Sequence, residues 1–134
     1  MTDNTTGRPP RIQPSLKAAP KIGQVYWCDF PQDAQLPEMW KRRPVIILSP
    51  RNTLFGAATV VPLTTKEDNA TNTWAVKITS PLGQAENWAL CNHPTTIAVS
   101  RLIQAGRIIP KIDAKELALV IERTLQWLPV STKT

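Results

Sequence analysis

The residues best suited to chemistry in this sequence stand in one short polar stretch. Lys41, Arg42 and Arg43 form a run of three cations directly before an apolar segment, and Trp40 precedes them. Such cations can guide phosphate groups, and a solvated surface run is an equally good account of Lys41 and Arg42. An exposed indole beside cations can stack on an unpaired RNA base, or it can bind a protein partner, because tryptophan is enriched at interfaces. The sequence leaves both roles of Trp40 open.

The overall charge agrees with a polyanionic partner. Sixteen Lys and Arg against ten Asp and Glu give a formal net charge of +6, and the pI is about 9.8. A basic surface attracts nucleic acid because each neutralised phosphate releases counterions. Many small proteins are basic without binding nucleic acid, so charge alone does not decide the function.

Metal chemistry has little support in the sequence. The chain has one histidine, His93, and two cysteines, Cys28 and Cys91, without the paired spacing of a zinc site. We expect no metal and no cofactor, and we predict that both cysteines are buried free thiols. An imidazole suits proton transfer near neutral pH, which makes His93 a candidate acid or base.

The elements that must position these residues follow from the apolar pattern. Short β-type segments recur about every ten residues, which favours a compact barrel or sandwich over parallel βαβ units. They cover residues 23–30, 44–49, 57–63, 74–78, 88–91 and 96–99. Trp27 and Trp74 alternate with apolar residues and are predicted to lie in the core.

The sequence predicts a C-terminal amphipathic helix. Asp113 is predicted to cap it, with Glu116 as the second partner of a capping box, and Pro129 to end it. One face is expected to pack on the barrel or on a neighbouring subunit; it consists of Leu117, Val120, Ile121, Thr124, Leu125 and Leu128.

Residues 1–21 are predicted to be a disordered, proline-rich N-terminal arm, and residues 22–134 to be one folded domain. A tail that becomes ordered on a partner is the alternative for the arm. No apolar run approaches the ~18–20 residues of a membrane helix, and residues 1–20 lack the apolar stretch of a signal peptide. We therefore expect a cytoplasmic protein that does not enter a membrane.

Three motifs together resemble one protein family. They are 23–30 (GQVYWCDF), 43–49 (RPVIILS) and 61–65 (VPLTT). In their order, strand phase and spacing they resemble the MazF/PemK/Kid toxins of toxin–antitoxin pairs, and the resemblance extends from about residue 23 to the C-terminal helix.

This resemblance implies a mainly β fold with a C-terminal α-helix, an SH3-like small β-barrel of the α+β class. It also implies a metal-independent endoribonuclease that cuts single-stranded mRNA. In such an enzyme the ribose 2′-hydroxyl attacks the neighbouring 3′-phosphate, leaving a cyclic phosphate and a free 5′-hydroxyl.

The resemblance carries over to particular residues. Arg43 matches the family's catalytic arginine, which would stabilise the phosphorane, and Thr64 matches its catalytic threonine. Thr65 would assist or close the turn, and Glu38 stands where some members carry a functional glutamate. The candidates for RNA binding are Glu38, Trp40, Lys41, Arg42, Thr65, Lys66 and Asn92.

The fifth β-type segment departs from the family pattern. Kid-like members read Arg-Cys-Asp-Gln-Pro-Arg there, with catalytic Arg and Asp, whereas this chain has Leu90 and Asn92 at those two positions. Neither can act as a base. His93 could compensate as a third catalytic residue, although strand alternation points His93 and Asn92 to opposite faces.

The expected partners are single-stranded RNA, a cognate antitoxin and a second copy of the chain, with the RNA groove spanning the dimer. Two alternatives remain. A module that binds RNA or protein without catalysis would explain the losses at Leu90 and Asn92. A CcdB-like gyrase inhibitor shares the fold and depends on an aromatic or glycine-rich tip after its C-terminal helix, whereas this helix is predicted to finish in Trp127-Leu128-Pro129 and the chain retains Arg43 and Thr64.

Overall fold

The computed structural model describes residues 7–65, 71–79, 81–83 and 86–128. Within these residues the chain forms seven β-strands followed by one α-helix. They are β1 (Val25–Asp29), β2 (Arg42–Ile47), β3 (Ala57–Thr64), β4 (Ala75–Ile78), β5 (Asn87–Leu90), β6 (Thr95–Ala98), β7 (Leu102–Ile103) and α1 (Ala114–Trp127). The six β-type segments predicted from the sequence correspond to β1–β6, and β7 was not predicted.

The strands form one antiparallel sheet in the order β4-β5-β3-β2-β1-β7, with β6 also paired to β3. The first half of β3 pairs with β6, from Ala57 to Val60, and its end pairs with β5. One long strand therefore belongs to both parts of the sheet. The ladder does not close on itself, and otherwise the expected SH3-like barrel with a C-terminal helix is confirmed.

Two hydrophobic clusters lie on the two faces of the strands. Alternate residues of β2 divide between them, because successive strand side chains point to opposite faces: Val45 and Ile47 enter the barrel interior, and Ile46 joins the cluster beneath α1. Cys28 and Cys91 are buried free thiols, one in each cluster, as predicted.

The helix begins as predicted, and only part of the predicted apolar face packs on the barrel of its own chain. Asp113 caps it by accepting from the backbone N–H of Lys115 at 2.9 Å. The Glu116 carboxylate accepts instead from the backbone N–H of Thr79 at 2.8 Å, so the predicted capping box is not its role. Val120 and Thr124 are buried, whereas Leu125 and Leu128 are exposed. Pro129 lies outside the described residues.

The described part of the N-terminal segment contacts the barrel, which differs from the disorder expected from its composition. Leu16 is 6% exposed and belongs to the interior cluster with Tyr26 and Leu102. The Ser15 hydroxyl donates to the Leu102 carbonyl at 3.1 Å, and the Asn52 side chain donates to the Pro20 carbonyl at 2.9 Å. The burial of Leu16 therefore stabilises an ordered position for this proline-rich segment, because it removes apolar area from water.

Candidate nucleic-acid interface

A cleft of about 590 Å³ opens where β2 begins and β3 ends. The β2–β3 register pairs Val45 with Pro62, and continuing it by two residues brings Arg43 level with Thr64. Five residues singled out in the sequence line this cleft with Arg43: Trp40, Lys41, Arg42, Thr64 and Thr65. The rest of the lining is Trp27, Pro44, Leu63, Leu82, Asn87 and Ala105.

Arg43 is half-buried at the start of β2. Its Nε donates to the backbone carbonyl of Trp40 at 3.1 Å. Its two terminal nitrogens make no hydrogen bond to any residue that the structure describes. A guanidinium held at Nε keeps the paired terminal donors that match two oxygens of one phosphate.

Arg42 is paired with a carboxylate from the neighbouring strand. Its Nε lies 2.7 Å from Oδ1 of Asp29, which stands opposite it in the β1–β2 ladder. The hydrogen bond to Asp29 and the negative charge of that carboxylate raise the pKa of Arg42. The carboxylate neutralises part of the charge that Arg42 brings to the cleft, so of the two guanidinium groups that of Arg43 is the better suited to binding a phosphate.

Thr64 is the last residue of β3 and is 7% exposed. It pairs with Trp88 of β5, which fixes its backbone at the cleft. Thr65 follows it and is exposed. A buried hydroxyl on a fixed strand can donate to a phosphoryl oxygen without the cost of burying a charge.

Two indoles contribute to the cleft, one of them unexpected. Trp40 is 46% exposed, and Nζ of Lys41 lies 4.9 Å from the centre of its ring. Trp27 was predicted to be a core residue, but it is half-buried and lines the cleft. The alternation of apolar residues in β1 was predicted correctly. It does not reveal that this face of the sheet is open to the cleft at one end.

Three of the predicted site residues lie away from this lining. The Glu38 carboxylate accepts from the backbone N–H of Gln35 at 2.9 Å. The two ring nitrogens of His93 lie 2.9 Å from Oδ1 of Asn92 and 3.3 Å from the carbonyl of Pro37. The structure therefore does not bring Glu38, Asn92 or His93 together with Arg43 and Thr64. Lys66 lies outside the described residues.

Asn87 is a cleft residue that the sequence reasoning missed. It is the first residue of β5 and only 4% exposed, yet it lines the cleft beside Thr64. The available signal was its position two residues before Ala89, on the same face of the strand as the core. A buried amide can both donate to and accept from a nucleotide.

The cleft thus combines side chains that could bind phosphate with aromatic ring surfaces. Arg43 and Thr64 can bind phosphoryl oxygens, while Trp27 and Trp40 present surfaces on which unpaired bases can stack. Within the described ranges, no cluster of His, Cys, Asp or Glu could hold a metal ion. No helix in that part of the chain is long and apolar enough to cross a membrane.

Comparison with known proteins found one matching family and several similar structures. Residues 21–128 match the family model described as PemK-like, MazF-like toxin of type II toxin–antitoxin system. MazF from Deinococcus radiodurans is 22% identical, with a TM-score of 0.67, and the alignment covers 84% of this chain and 98% of that one. An endoribonuclease from a mycobacterial species is 20% identical, with a TM-score of 0.62 and coverage of 86% and 96%.

A further solved structure holds the mycobacterial endoribonuclease in complex with its cognate antitoxin. It is 20% identical, has a TM-score of 0.61, and covers 86% of this chain and 100% of that chain. At these identities the structural likeness establishes the fold. The comparison with curated proteins gave no match.

Proposed function

Since the chain belongs to the PemK-like, MazF-like toxin family of type II toxin–antitoxin systems, we propose that it is a metal-independent endoribonuclease that cuts single-stranded mRNA. The observation that carries this proposal is the cleft shared by Arg43 and Thr64. These residues are separated by a turn and a strand in sequence, and the β2–β3 register, continued by two residues, supports their lying level with each other.

In the proposed reaction the 2′-oxygen of one ribose forms a bond to the adjacent phosphorus. The bond from phosphorus to the 5′-oxygen of the next nucleotide breaks, leaving a 2′,3′-cyclic phosphate. The 2′-hydroxyl releases its proton, and the departing 5′-oxygen gains one. The pentacovalent intermediate carries extra negative charge on its equatorial oxygens, and stabilising that charge lowers the barrier.

Two side chains supply the stabilisation in this proposal. The terminal nitrogens of Arg43 bind the equatorial oxygens as a pair, and the Thr64 hydroxyl donates to one of them. Both are held before RNA arrives: Arg43 by its hydrogen bond to Trp40, and Thr64 by strand pairing. Donors fixed in advance act more strongly because they need no reorganisation during the reaction.

The open shape of the cleft favours unpaired RNA. Bases of a single strand can turn out and stack on the rings of Trp27 and Trp40, and each stacked base contributes about 1–3 kcal/mol. A duplex keeps its bases stacked inside and offers no such surface. The basic chain, with a net charge of +6, adds attraction to the phosphates.

We further propose that a cognate antitoxin and a second copy of the chain are its protein partners, and that it acts in the cytoplasm, where mRNA is translated. One similar structure is described as MazE-MazF from Deinococcus radiodurans, and another as an endoribonuclease with its cognate antitoxin. The exposed apolar residues of α1, Leu119, Leu125 and Trp127, provide surface for protein contacts.

One observation favours a second candidate, an RNA- or protein-binding module without catalysis. Among the described residues that line the cleft, none carries a carboxylate or an imidazole. Leu90 is buried, and Asn92 and His93 contact each other outside the lining. Such a protein would bind single-stranded RNA in this cleft and release it uncut.

The deciding experiment incubates the purified chain with a long unstructured RNA in EDTA. Arg43→Ala is compared with Arg51→Ala, which removes the same charge from an exposed residue in the β2–β3 turn. We expect discrete cuts with cyclic phosphate ends, lost in Arg43→Ala, retained in Arg51→Ala, and blocked by a 2′-deoxyribose at the cut site. Binding of RNA by folded, antitoxin-free protein without any cut would favour the second candidate instead.

A further inference from the structure

The backbone immediately before Arg43 has an unusual conformation. Lys41 has φ of +56°, and it is the single non-glycine residue with positive φ in the part of the chain that the structure describes. A residue with a Cβ disfavours this left-handed region, because the Cβ approaches the following carbonyl oxygen. Such conformations persist where surrounding contacts enforce them, and they concentrate at functional sites.

The left-handed residue determines where the preceding carbonyl lies. Between Trp40 and Arg42 the chain turns sharply, and the Trp40 carbonyl comes within 3.1 Å of Nε of Arg43, three residues further on. This carbonyl is the acceptor that fixes the guanidinium. An extended residue at 41 would continue β2 backwards and carry the carbonyl away from Arg43.

Three contacts from separate groups hold the turn. The Lys41 carbonyl accepts from the backbone N–H of Phe30 at 3.3 Å, which extends the β1–β2 ladder by one step. Nζ of Lys41 lies 4.9 Å from the centre of the Trp40 ring, within cation–π range. On the other side of the turn, Arg42 is tied to Asp29 by the 2.7 Å ion pair.

We propose that Lys41 is a positioning residue, whose left-handed backbone aims the guanidinium of Arg43 into the cleft. This inference rests on the proposed ribonuclease function for its catalytic consequence, whereas the geometry it describes can be tested without RNA. With Nε bound to Trp40, the plane of the guanidinium is fixed and both terminal nitrogens are directed at substrate. Without the turn, Arg43 samples several rotamers, and only a fraction of molecules present both donors together.

The test uses a series of uncharged residues at position 41, so that every variant loses the same ammonium group. Tolerance of positive φ falls in the order Gly, Asn, Ala, Val. We expect kcat/KM for RNA cleavage to fall in that order, with Lys41→Val about tenfold below Lys41→Gly. Side-chain size would rank Ala above Asn, so an activity order set by size, or equal activity across the series, overturns the proposal.

Repeating the series in an Arg43→Lys variant separates the orientation of the Arg43 guanidinium from other effects of residue 41. Arg43→Lys replaces the guanidinium with an ammonium that has no Nε–H donor, so the Trp40 carbonyl can no longer orient it. In that background the gap between the Gly and Val variants at position 41 is expected to disappear. A tenfold gap that persists there means that residue 41 acts on the cleft in some other way.

The third measurement needs no activity. The Nε–H signal of Arg43, assigned in NMR spectra by its loss in Arg43→Lys, is expected to exchange slowly with water in the natural chain and in Lys41→Gly. In Lys41→Val it is expected to exchange at least about tenfold faster, while the other amide signals of the sheet remain. Equal exchange in both variants refutes the positioning role. A protected signal in a chain that cuts no RNA supports the positioning and leaves only the proposed ribonuclease function refuted.

Discussion

Replacing Leu16 with alanine is the sharpest test of how the N-terminal segment belongs to the fold. Leu16 is 6% exposed and lies among interior residues that include Tyr26 and Leu102. Truncating a buried leucine to alanine typically costs about 2–5 kcal/mol, depending on how far the surroundings collapse into the space. The loss of unfolding free energy has an upper limit in this protein. A segment that is held too weakly detaches from the barrel, and after that it can lose no further stabilising contacts.

The other contacts of the segment indicate how large this upper limit on the lost free energy is. Besides Leu16, its hydrogen bonds include those from Ser15 to Leu102, from Asn52 to Pro20, and from Arg11 to the Phe55 carbonyl. Each such bond contributes only about 0.5–1.5 kcal/mol net. We therefore expect Leu16→Ala to lower the free energy of unfolding by about 2–3 kcal/mol, near the bottom of the range for a buried leucine. For a chain of this size that corresponds to a fall in Tm of roughly 6–12 °C.

The assay is urea unfolding followed by tryptophan fluorescence, with Ile12→Ala as the matched control. Ile12 is in the same segment and is 61% exposed, so its truncation is expected to cost less than about 0.5 kcal/mol. Digestion with trypsin gives a second readout, since Arg11 and Lys17 are exposed but their backbone can enter the protease only when the segment detaches. Equal stability of the two variants, with equal cleavage at Lys17, refutes the docked segment and favours a disordered arm.

Two further predictions concern the cleft and the core. Thr64→Val keeps the shape of a buried strand residue and removes its hydroxyl, and we expect kcat/KM for RNA to fall about 100-fold. The control is Thr96→Val, at an exposed residue of β6, which should change kcat/KM less than about threefold. Similar losses in both variants would show that Thr64 acts through folding alone. Burial raises the pKa of the Cys28 thiol to about 12, above its value in the unfolded chain. The folded chain therefore binds more protons between pH 9 and 12, and stability falls as pH rises through that window, by at most about 1.4 kcal/mol per pH unit. In urea unfolding at pH 8, 9, 10 and 11, Cys28→Ala should show a shallower decline, and an identical slope would contradict this.

The apolar pattern predicted the strands, and the family resemblance singled out the two cleft residues Arg43 and Thr64. Arg43 and Thr64 flank apolar runs with strong β patterns, and residues at strand ends stay together once the register is set. The helix start was equally readable, because the Asp113 side chain acts on its own neighbours in sequence. Local signals of this kind do not depend on the rest of the fold.

What could not be predicted depends on distant parts of the chain. Trp27 has the alternation of a core residue, and only the open end of the sheet makes it part of the cleft. Glu116 has the spacing of a capping box, but Thr79, directly after β4, offers it a backbone N–H from a distant part of the chain. At two residues, β7 is too short to leave a pattern. His93 was left between two orientations, and the contacts to Asn92 and Pro37 that place it come from the folded loops.

The docked N-terminal segment also imposes an order on the making of the protein. Ser15 leaves the ribosome long before its acceptor, since Leu102 is 87 residues further along the chain, and Arg11 precedes Phe55 by 44. Ser15 therefore lacks this hydrogen bond until β7 has been synthesised, whereas Arg11 can bond to Phe55 earlier. The cleft is also completed late in synthesis, because its lining extends to Ala105. A growing chain therefore has no complete cleft until residue 105 has been synthesised.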